Sequence, residues 1–124
     1  MKALLLAFTA LAATLGVSSS FAGDLRDVTV VNGTGYGIRF LGFNNPGDDD
    51  WSDNELPPGS IFPSGNSVYV KFKTEDKGCK WDFKIEWADP GHPGVVWHDV
   101  DLCQIVKLTL KYDRDSNTTT AQVE

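Results

Sequence analysis

Residues 81–87 alternate strictly between large apolar and polar side chains. The apolar positions are Trp81, Phe83, Ile85 and Trp87, and the polar positions are Asp82, Lys84 and Glu86. Successive side chains of a β-strand point to opposite faces, so this pattern predicts a strand with one face on the core and the other in water. An α-helix has a period of 3.6 residues and cannot satisfy it. The chain must therefore build its core on a sheet.

Further segments typical of strands follow one another along the chain, some alternating and some rich in β-branched residues, separated by turn signals such as Asn32-Gly33. Within the second run, alternation places Tyr36, Ile38 and Phe40 on one face and Arg39 on the other. The predicted strands cover residues 28–31, 36–43, 67–73, 81–87, 95–100, 105–112 and 118–123. Six or seven short strands predict an all-β fold, a small antiparallel β-sandwich, with a small barrel as the alternative closure.

The first 22 residues have the pattern of an export signal. Lys2 gives a basic start, residues 3–17 form an apolar run, and Ser20-Phe21-Ala22 offers the small residues that signal peptidase accepts. The apolar run is short for a membrane span, and no second run follows it. We therefore predict cleavage after Ala22, one mature domain over residues 23–124, and a soluble periplasmic protein with no membrane insertion.

The charge balance limits the classes of partner. The chain has 17 acidic and 11 basic residues, for a net charge of −6. Nucleic acids and anionic membranes attract proteins through clusters of Lys and Arg, so neither is a predicted partner. The acidic balance favours cations instead.

Cys79 and Cys103 are the two cysteines of the chain. In an oxidising compartment such a pair predicts a disulfide. The rival interpretation, a thiolate site for a soft metal, would call for more cysteines or a nearby histidine.

Residues 44–55 form an acidic loop, in which five carboxylates fall within eight residues beside Trp51. Like charges at this density repel each other unless solvent, salt or a bound cation screens them. Oxygen ligands from a flexible segment are what hard cations such as Ca²⁺ prefer. The predicted metal ligands are Asp48, Asp49, Asp50, Asp53, Asn54 and Glu55. A solvated turn without a metal is the competing interpretation.

The spacing of this acidic loop excludes an EF-hand. Counting twelve positions from Asp48 puts Asp53 where glycine is needed and Gly59 where the bidentate glutamate belongs. Asp49 or Asp50 can cap one helical turn that begins at Trp51, so we expect such a turn in the loop. We expect the Trp51 ring to anchor the loop by packing at the edge of the sandwich, or to lie beside a bound cation.

Other polar groups carry weaker signals. In a strand, Asp99 and Asp101 would lie side by side on one face, opposite to His98 and Val100, as a two-carboxylate fragment of a site. The chain has no glycine-rich phosphate loop, no G-x-S-x-G motif and no pair of histidines at zinc spacing. We therefore predict no enzymatic activity and no catalytic residue.

Several segments together resemble a family of small exported bacterial β-sandwich proteins, most of which are uncharacterised. They are Val31-Asn32-Gly33-Thr34-Gly35-Tyr36, Asp49-Asp50-Trp51 with Asp53 and Leu56, Cys79-Lys80-Trp81-Asp82, and Val100-Asp101-Leu102-Cys103 with Leu108-Thr109-Leu110. Ser52 stands where the family often has glycine, which leaves the geometry of that turn open. Within this type, the chain is similar to landiscernin-like periplasmic lanthanide-binding proteins. That resemblance implies binding of trivalent f-block ions by carboxylates, without redox chemistry.

The predicted function is therefore capture of a lanthanide or calcium ion in the periplasm, as a carrier, buffer or chaperone. One loop supplies few ligands for such an ion, and a second copy of the chain can complete the site, which gives a metal-bridged homodimer. The alternative is a metal-independent interaction module of the cell envelope that uses exposed aromatic residues such as Tyr69 and Trp97.

Overall fold

The computed structural model describes residues 24–124, which form seven strands and one short 3-10 helix. The elements are β1 (Val28–Gly33), β2 (Ile38–Asn44), β3 (Ser67–Val70), β4 (Lys80–Trp87), β5 (Val95–Asp101), η1 (Leu102–Gln104), β6 (Lys107–Asp113) and β7 (Thr118–Val123). The predicted all-β fold is confirmed, and each predicted strand overlaps an observed one. The predicted export signal lies outside the described residues. Within residues 24–124, no helix is long and apolar enough to cross a membrane.

The strands form two sheets. One has four strands in the order β3-β1-β6-β7, and the other has three in the order β2-β4-β5. Neighbours are antiparallel except for β1 and β6, which run parallel and pair Thr29 with Lys107. A parallel pair needs a long connection, and here the whole three-stranded sheet lies between β1 and β6 in the sequence.

A single apolar core fills the space between the sheets. Its fully buried side chains include Val30 and Leu108 from the four-stranded sheet and Leu41, Phe83 and Ile85 from the other. The four apolar side chains in the segment 81–87 all face this core, as alternation predicts. Phe83 is its largest fully buried side chain and stacks between the rings of Phe43 and Trp97.

The predicted face of Phe40 is wrong because β2 contains a bulge. Ile38 lies opposite Trp87, whereas Phe40 lies opposite Glu86, so Arg39 is an extra residue in β2. An extra residue shifts every later side chain to the other face. Ile38, Leu41 and Phe43 therefore point into the core, and Phe40 is only half-buried on the outer face.

The predicted disulfide is confirmed, and it joins Cys79 and Cys103 across a sequence separation of 24 residues. Cys79 immediately precedes β4, and Cys103 lies in η1, directly after β5. Restricting the unfolded chain over a loop of this length contributes about 3 kcal/mol in the chain-entropy model.

A buried arginine attaches the start of the described chain to the segment before this disulfide. Arg26 is 6% exposed, and all five of its guanidinium N–H groups have an acceptor. Two N–H groups form a bidentate pair with the Asp24 carboxylate, at 2.8 and 2.7 Å. The other three reach the carbonyl oxygens of Lys73, Asp76 and Gly78. Arg26 therefore positions residues 73–78 through contacts in which neither cysteine takes part.

This ion pair predicts an acid-dependent loss of stability. Hydrogen bonds from Arg26 lower the pKa of Asp24 to about 2, below the ordinary value of about 3.9. A carboxyl whose pKa is lowered on folding stabilises the fold above its unfolded pKa, and that stabilisation is lost as the pH falls through the folded pKa. In thermal unfolding, we expect the melting temperatures of wild type and Asp24→Asn to differ most above pH 4 and to converge by about pH 2. Asp115→Asn is the control and should follow wild type, and a constant gap from pH 5 to 2 would contradict the assignment.

Candidate cation-binding loop

The acidic loop follows β2 and runs along the outside of the three-stranded sheet. Residues 48–54 have no regular secondary structure, so the predicted helical turn at Trp51 is wrong. The loop instead turns at Pro46-Gly47, where Gly47 has a φ of 85°. The backbone of the loop forms hydrogen bonds with side chains in place of the helical hydrogen bonds that a capped turn would need.

Three side-chain anchors hold the backbone of this loop. At its start, the Asn44 side-chain amide donates to the carbonyl oxygens of Asp48 (3.0 Å) and Asp50 (2.7 Å). Next, the Gly47 amide donates to the Asp82 carboxylate of β4 at 3.3 Å. The third anchor, Asn54, lies near its end. The path of the loop is therefore specified although it is not a helix or strand.

Asn54 docks the end of the loop against the free edge of β2. Its side-chain oxygen accepts hydrogen bonds from the amides of Leu41 (3.2 Å) and Leu56 (3.0 Å), and its amide group donates to the Arg39 carbonyl (3.0 Å). The Glu55 amide adds a bond to the Leu41 carbonyl at 2.8 Å. Asn54 was predicted as a metal ligand. In this conformation its side-chain oxygen already accepts two hydrogen bonds from the backbone.

The predicted carboxylate ligands remain on the surface. Asp48 accepts a hydrogen bond from the Asp50 amide (2.9 Å). Within residues 24–124, the carboxylates of Asp49, Asp50, Asp53 and Glu55 make no side-chain hydrogen bond and no ion pair. No three of the loop's carboxylates bring ligand atoms within 4.8 Å of one another in this described part of the chain. The carboxylate oxygens of the loop are thus available as ligands, but they do not lie close enough together to bind one ion in this conformation.

Glu55 is the loop carboxyl with a perturbed environment. Glu55 is exposed, yet neighbouring groups displace part of the water around its carboxyl, which raises the pKa of Glu55 above its ordinary value; the negative charges of Asp53 and Asp76 raise it further. The ammonium of Lys73 acts in the opposite direction. A cation bound near Asp53 and Glu55 would relieve this repulsion.

Trp51 lies against the outer face of the three-stranded sheet. Its half-buried ring lies 5.6 Å from the Lys84 ammonium, close enough for a cation–π contact. Lys84 also forms an ion pair with Glu86 at 3.2 Å. This position agrees with the predicted packing role of Trp51, and it keeps the indole within the acidic loop.

The structure adds Asp82 to the residues of the candidate site. Alternation had assigned Asp82 to the water-facing side of β4. Its side chain does point away from the core, yet the residue is only 3% exposed because the loop and β5 cover it. Asp82 lies opposite Asn44, the last residue of β2, so it sits where the acidic loop begins. Only this cross-strand register would have identified it, since its position in the sequence carries no separate signal.

A bulge in β5 supplies two further partners of Asp82. Trp81 pairs with Val100 and Phe83 with Trp97. Two residues of β5, His98 and Asp99, therefore lie opposite the single residue Asp82 of β4. The Asp99 amide donates to Asp82 Oδ1 (3.0 Å), and His98 Nδ1 lies 3.1 Å from Oδ2. Burial by itself raises the pKa of Asp82, but the hydrogen bonds from Asp99, His98 and Gly47 outweigh burial and lower the pKa below its ordinary value.

The same bulge interrupts the alternation from which Asp99 and Asp101 were predicted to lie on one face. Asp99 takes a left-handed backbone conformation with a φ of 55°. Asp101 instead caps η1, where its carboxylate accepts the Cys103 amide at 3.1 Å. The two residues therefore have separate local roles: Asp99 acts in the bulge through its backbone amide, and Asp101 caps η1 with its carboxylate.

Comparisons with family models, curated proteins and solved structures find no match to this chain. The resemblance to small exported bacterial proteins therefore stays a prediction.

Proposed function

We propose that this protein captures a hard cation, a lanthanide or calcium ion, with the carboxylates of its acidic loop. The observation that carries the proposal is a loop whose backbone is anchored while its acids are available. Asn44, Asp82 and Asn54 hold the path of the loop, and the oxygens of Asp49, Asp50, Asp53 and Glu55 face solvent without a protein partner among residues 24–124. In this proposal the protein acts as a periplasmic carrier, buffer or chaperone.

The donor chemistry fits such an ion. Carboxylate oxygens are the ligands of hard cations, and no thiolate or imidazole lies within residues 44–55. Binding would also offset the repulsion among five acids that form no ion pair within residues 24–124. The carboxylates must approach one another on binding, and the irregular backbone of residues 48–54 permits that movement.

The site would be incomplete without further ligands. Calcium takes six to eight oxygens, whereas the five carboxylates supply five if each binds through one oxygen, and the side chain of Asn54 is engaged with β2. Water or the acidic loop of a second copy would supply the remainder. A metal-bridged homodimer is therefore part of the proposal.

The test uses Tb³⁺ and the tryptophan of the loop. Excitation of tryptophan should produce saturable Tb³⁺ emission in wild type, because the Trp51 indole lies within the loop. Trp51→Phe should lose most of this emission but keep binding by calorimetry, since the indole is the energy donor and not a ligand. Asp50→Asn should lose both. Acidification toward pH 4, the ordinary range of carboxylic acids, should release the ion because only ionised carboxylates bind it.

Asp115→Asn is the matched control, because it removes one exposed acid from the β6–β7 turn and leaves the acidic loop unchanged. It should bind Tb³⁺ as wild type does. The proposal fails if calorimetry detects no saturable binding to wild type, or if Asp50→Asn and Asp115→Asn weaken binding equally.

A metal-independent interaction module is the second candidate, and the exposure of Tyr69 favours it. Tyr69 on β3 is 55% exposed and neighbours the exposed Leu25 in an open groove. Trp97, the other predicted contact residue, is half-buried and stacks on Phe83 instead. Absence of Tb³⁺ binding would leave this candidate ahead.

A further inference from the structure

Within residues 24–124, one group of three potential metal ligands does converge, and it lies outside the acidic loop. The Sγ atoms of Cys79 and Cys103 and a carboxylate oxygen of Asp101 are all within 4.8 Å of one another. Both sulfurs now belong to the disulfide. Cys79 is exposed, Cys103 is half-buried, and both line an open groove, so a reductant can reach the bond.

The backbone places these three residues together independently of the S–S bond. Asp101 pairs with Lys80 in the β4–β5 ladder, and the Leu102 amide donates to the Cys79 carbonyl at 2.9 Å. Leu102, which lies between Asp101 and Cys103 in the sequence, is fully buried in the core. None of these contacts involves a sulfur atom. The three ligands would therefore stay close together in the reduced protein.

The buried cation near Cys79 is already paired with a carboxylate. Arg26 contacts the Gly78 carbonyl beside Cys79, but its charge is matched by the Asp24 carboxylate at 2.7 Å. Asp101 uses Oδ1 to accept the Cys103 amide. Its other oxygen has no hydrogen bond or ion pair among the residues that the structure describes. The Asp101 carboxylate therefore lies beside the two sulfurs and keeps one oxygen without a partner in this part of the chain.

We propose that reduction of the disulfide converts Cys79, Cys103 and Asp101 into a binding site for Zn²⁺ or a similar thiophilic divalent cation. A dithiol or phosphine reductant delivers two electrons, the S–S bond breaks, and two protons are taken up to give two thiols. Metal binding then releases both thiol protons. In the reverse direction, a disulfide oxidant accepts two electrons from the thiolates, the S–S bond forms again, and the ion is expelled.

The geometry suits zinc. Two Zn–S bonds of about 2.3 Å at a tetrahedral angle place the sulfurs about 3.8 Å apart. The exposed Cys79 side chain can rotate to that separation without moving the buried Leu102. Two thiolates, one carboxylate and a water complete four-coordination. Thiolates select against hard ions such as Ca²⁺ or lanthanides, so this site and the acidic loop would take different metals.

The test compares the oxidised protein with the protein reduced by a phosphine and kept anaerobic. Zinc titration against a chromogenic chelator should show one Zn²⁺ per reduced chain and none at this site in the oxidised chain. Asp101→Asn keeps an oxygen for the Cys103 amide but loses the anionic ligand. Loss of a metal's outer-shell partner alone costs about 10-fold to 100-fold in affinity, so losing a direct ligand should weaken binding at least about 10-fold.

Asp99→Asn is the control, because it removes a nearby acid outside the group and asparagine tolerates the left-handed backbone there. It should bind zinc as wild type does. Circular dichroism follows the fold throughout; if reduction unfolds the chain, added zinc should restore the native spectrum. The proposal is overturned if reduced wild type binds no stoichiometric zinc, if zinc does not restore an unfolded reduced chain, or if Asp101→Asn binds as tightly as Asp99→Asn.

Discussion

Phe83→Ala should lower the free energy of unfolding by about 3 to 5 kcal/mol, the range for removing a fully buried aromatic side chain. Phe83 has no exposed surface, and its ring centroid lies 4.7 Å from that of Phe43 and 5.2 Å from that of Trp97. Its position between these two rings leaves little freedom for neighbours to close the cavity. Urea unfolding measures the change. A loss of this size is a large share of the roughly 5 to 15 kcal/mol that stabilises a typical domain.

Phe40→Ala is the matched control on the neighbouring strand. The bulge at Arg39 turns Phe40 to the outer face, where its ring lies over Gly42 and near the Lys84 ammonium. A half-buried side chain loses less apolar contact on truncation, so we expect a cost below about 1.5 kcal/mol. Equal losses for Phe40→Ala and Phe83→Ala would show that the bulge does not have this register in solution.

Asp82→Asn should lower the free energy of unfolding by about 2 to 3 kcal/mol near neutral pH. Asparagine has the same shape but only one acceptor oxygen, so it cannot accept from both Gly47 and Asp99 as the carboxylate does. Its NH₂ group would face an N–H donor in a site that is only 3% exposed. The acidic loop would lose its middle anchor, and limited proteolysis should cut residues 44–55 faster than in wild type.

The pH dependence of the same variant checks the cause. Because the pKa of Asp82 is lowered in the folded state, its stabilisation is complete above the ordinary value of about 3.9 and is lost as the pH falls through the folded pKa. The gap between wild type and Asp82→Asn should therefore narrow below pH 4. Glu86→Gln is the control on the same face of β4, where partly exposed ion pairs with Arg39 and Lys84 predict a cost of about 0 to 1 kcal/mol. A similar cost for both variants would argue against Asp82 as the anchor.

Much of the fold follows from local pattern, and β4 shows why. Trp81, Phe83 and Ile85 share a face because alternate side chains of any strand do so, whatever the strand pairs with. The β7 prediction, residues 118–123, matches the observed strand, which returns along β6 after the turn at residues 114–117. Phe40 departs from its pattern because of a bulge. A bulge depends on the partner strand, and alternation within one segment gives no information about that partner.

The candidate site was predictable in composition but not in arrangement. The density of acids in residues 48–55 is plain in the sequence, and the structure leaves most of them exposed. The predicted helical turn failed because Asn44 and Asn54 hydrogen bond to the loop backbone and the edge of β2, which a helix would prevent. Such competition involves residues on separate elements, so a local capping rule cannot weigh it.

Residue types and their spacing specify the fold class, the core-facing side of β4, the pairing of the two cysteines and the location of the acidic loop. Each depends on residue type and spacing along one stretch of chain, or on a count of cysteines. The parallel pairing of β1 and β6, the burial of Asp82, and the closeness of the Asp101 carboxylate to the two sulfurs are visible only in the folded protein. These features depend on register, bulges and loop packing between distant segments, and local periodicity carries no information about such contacts.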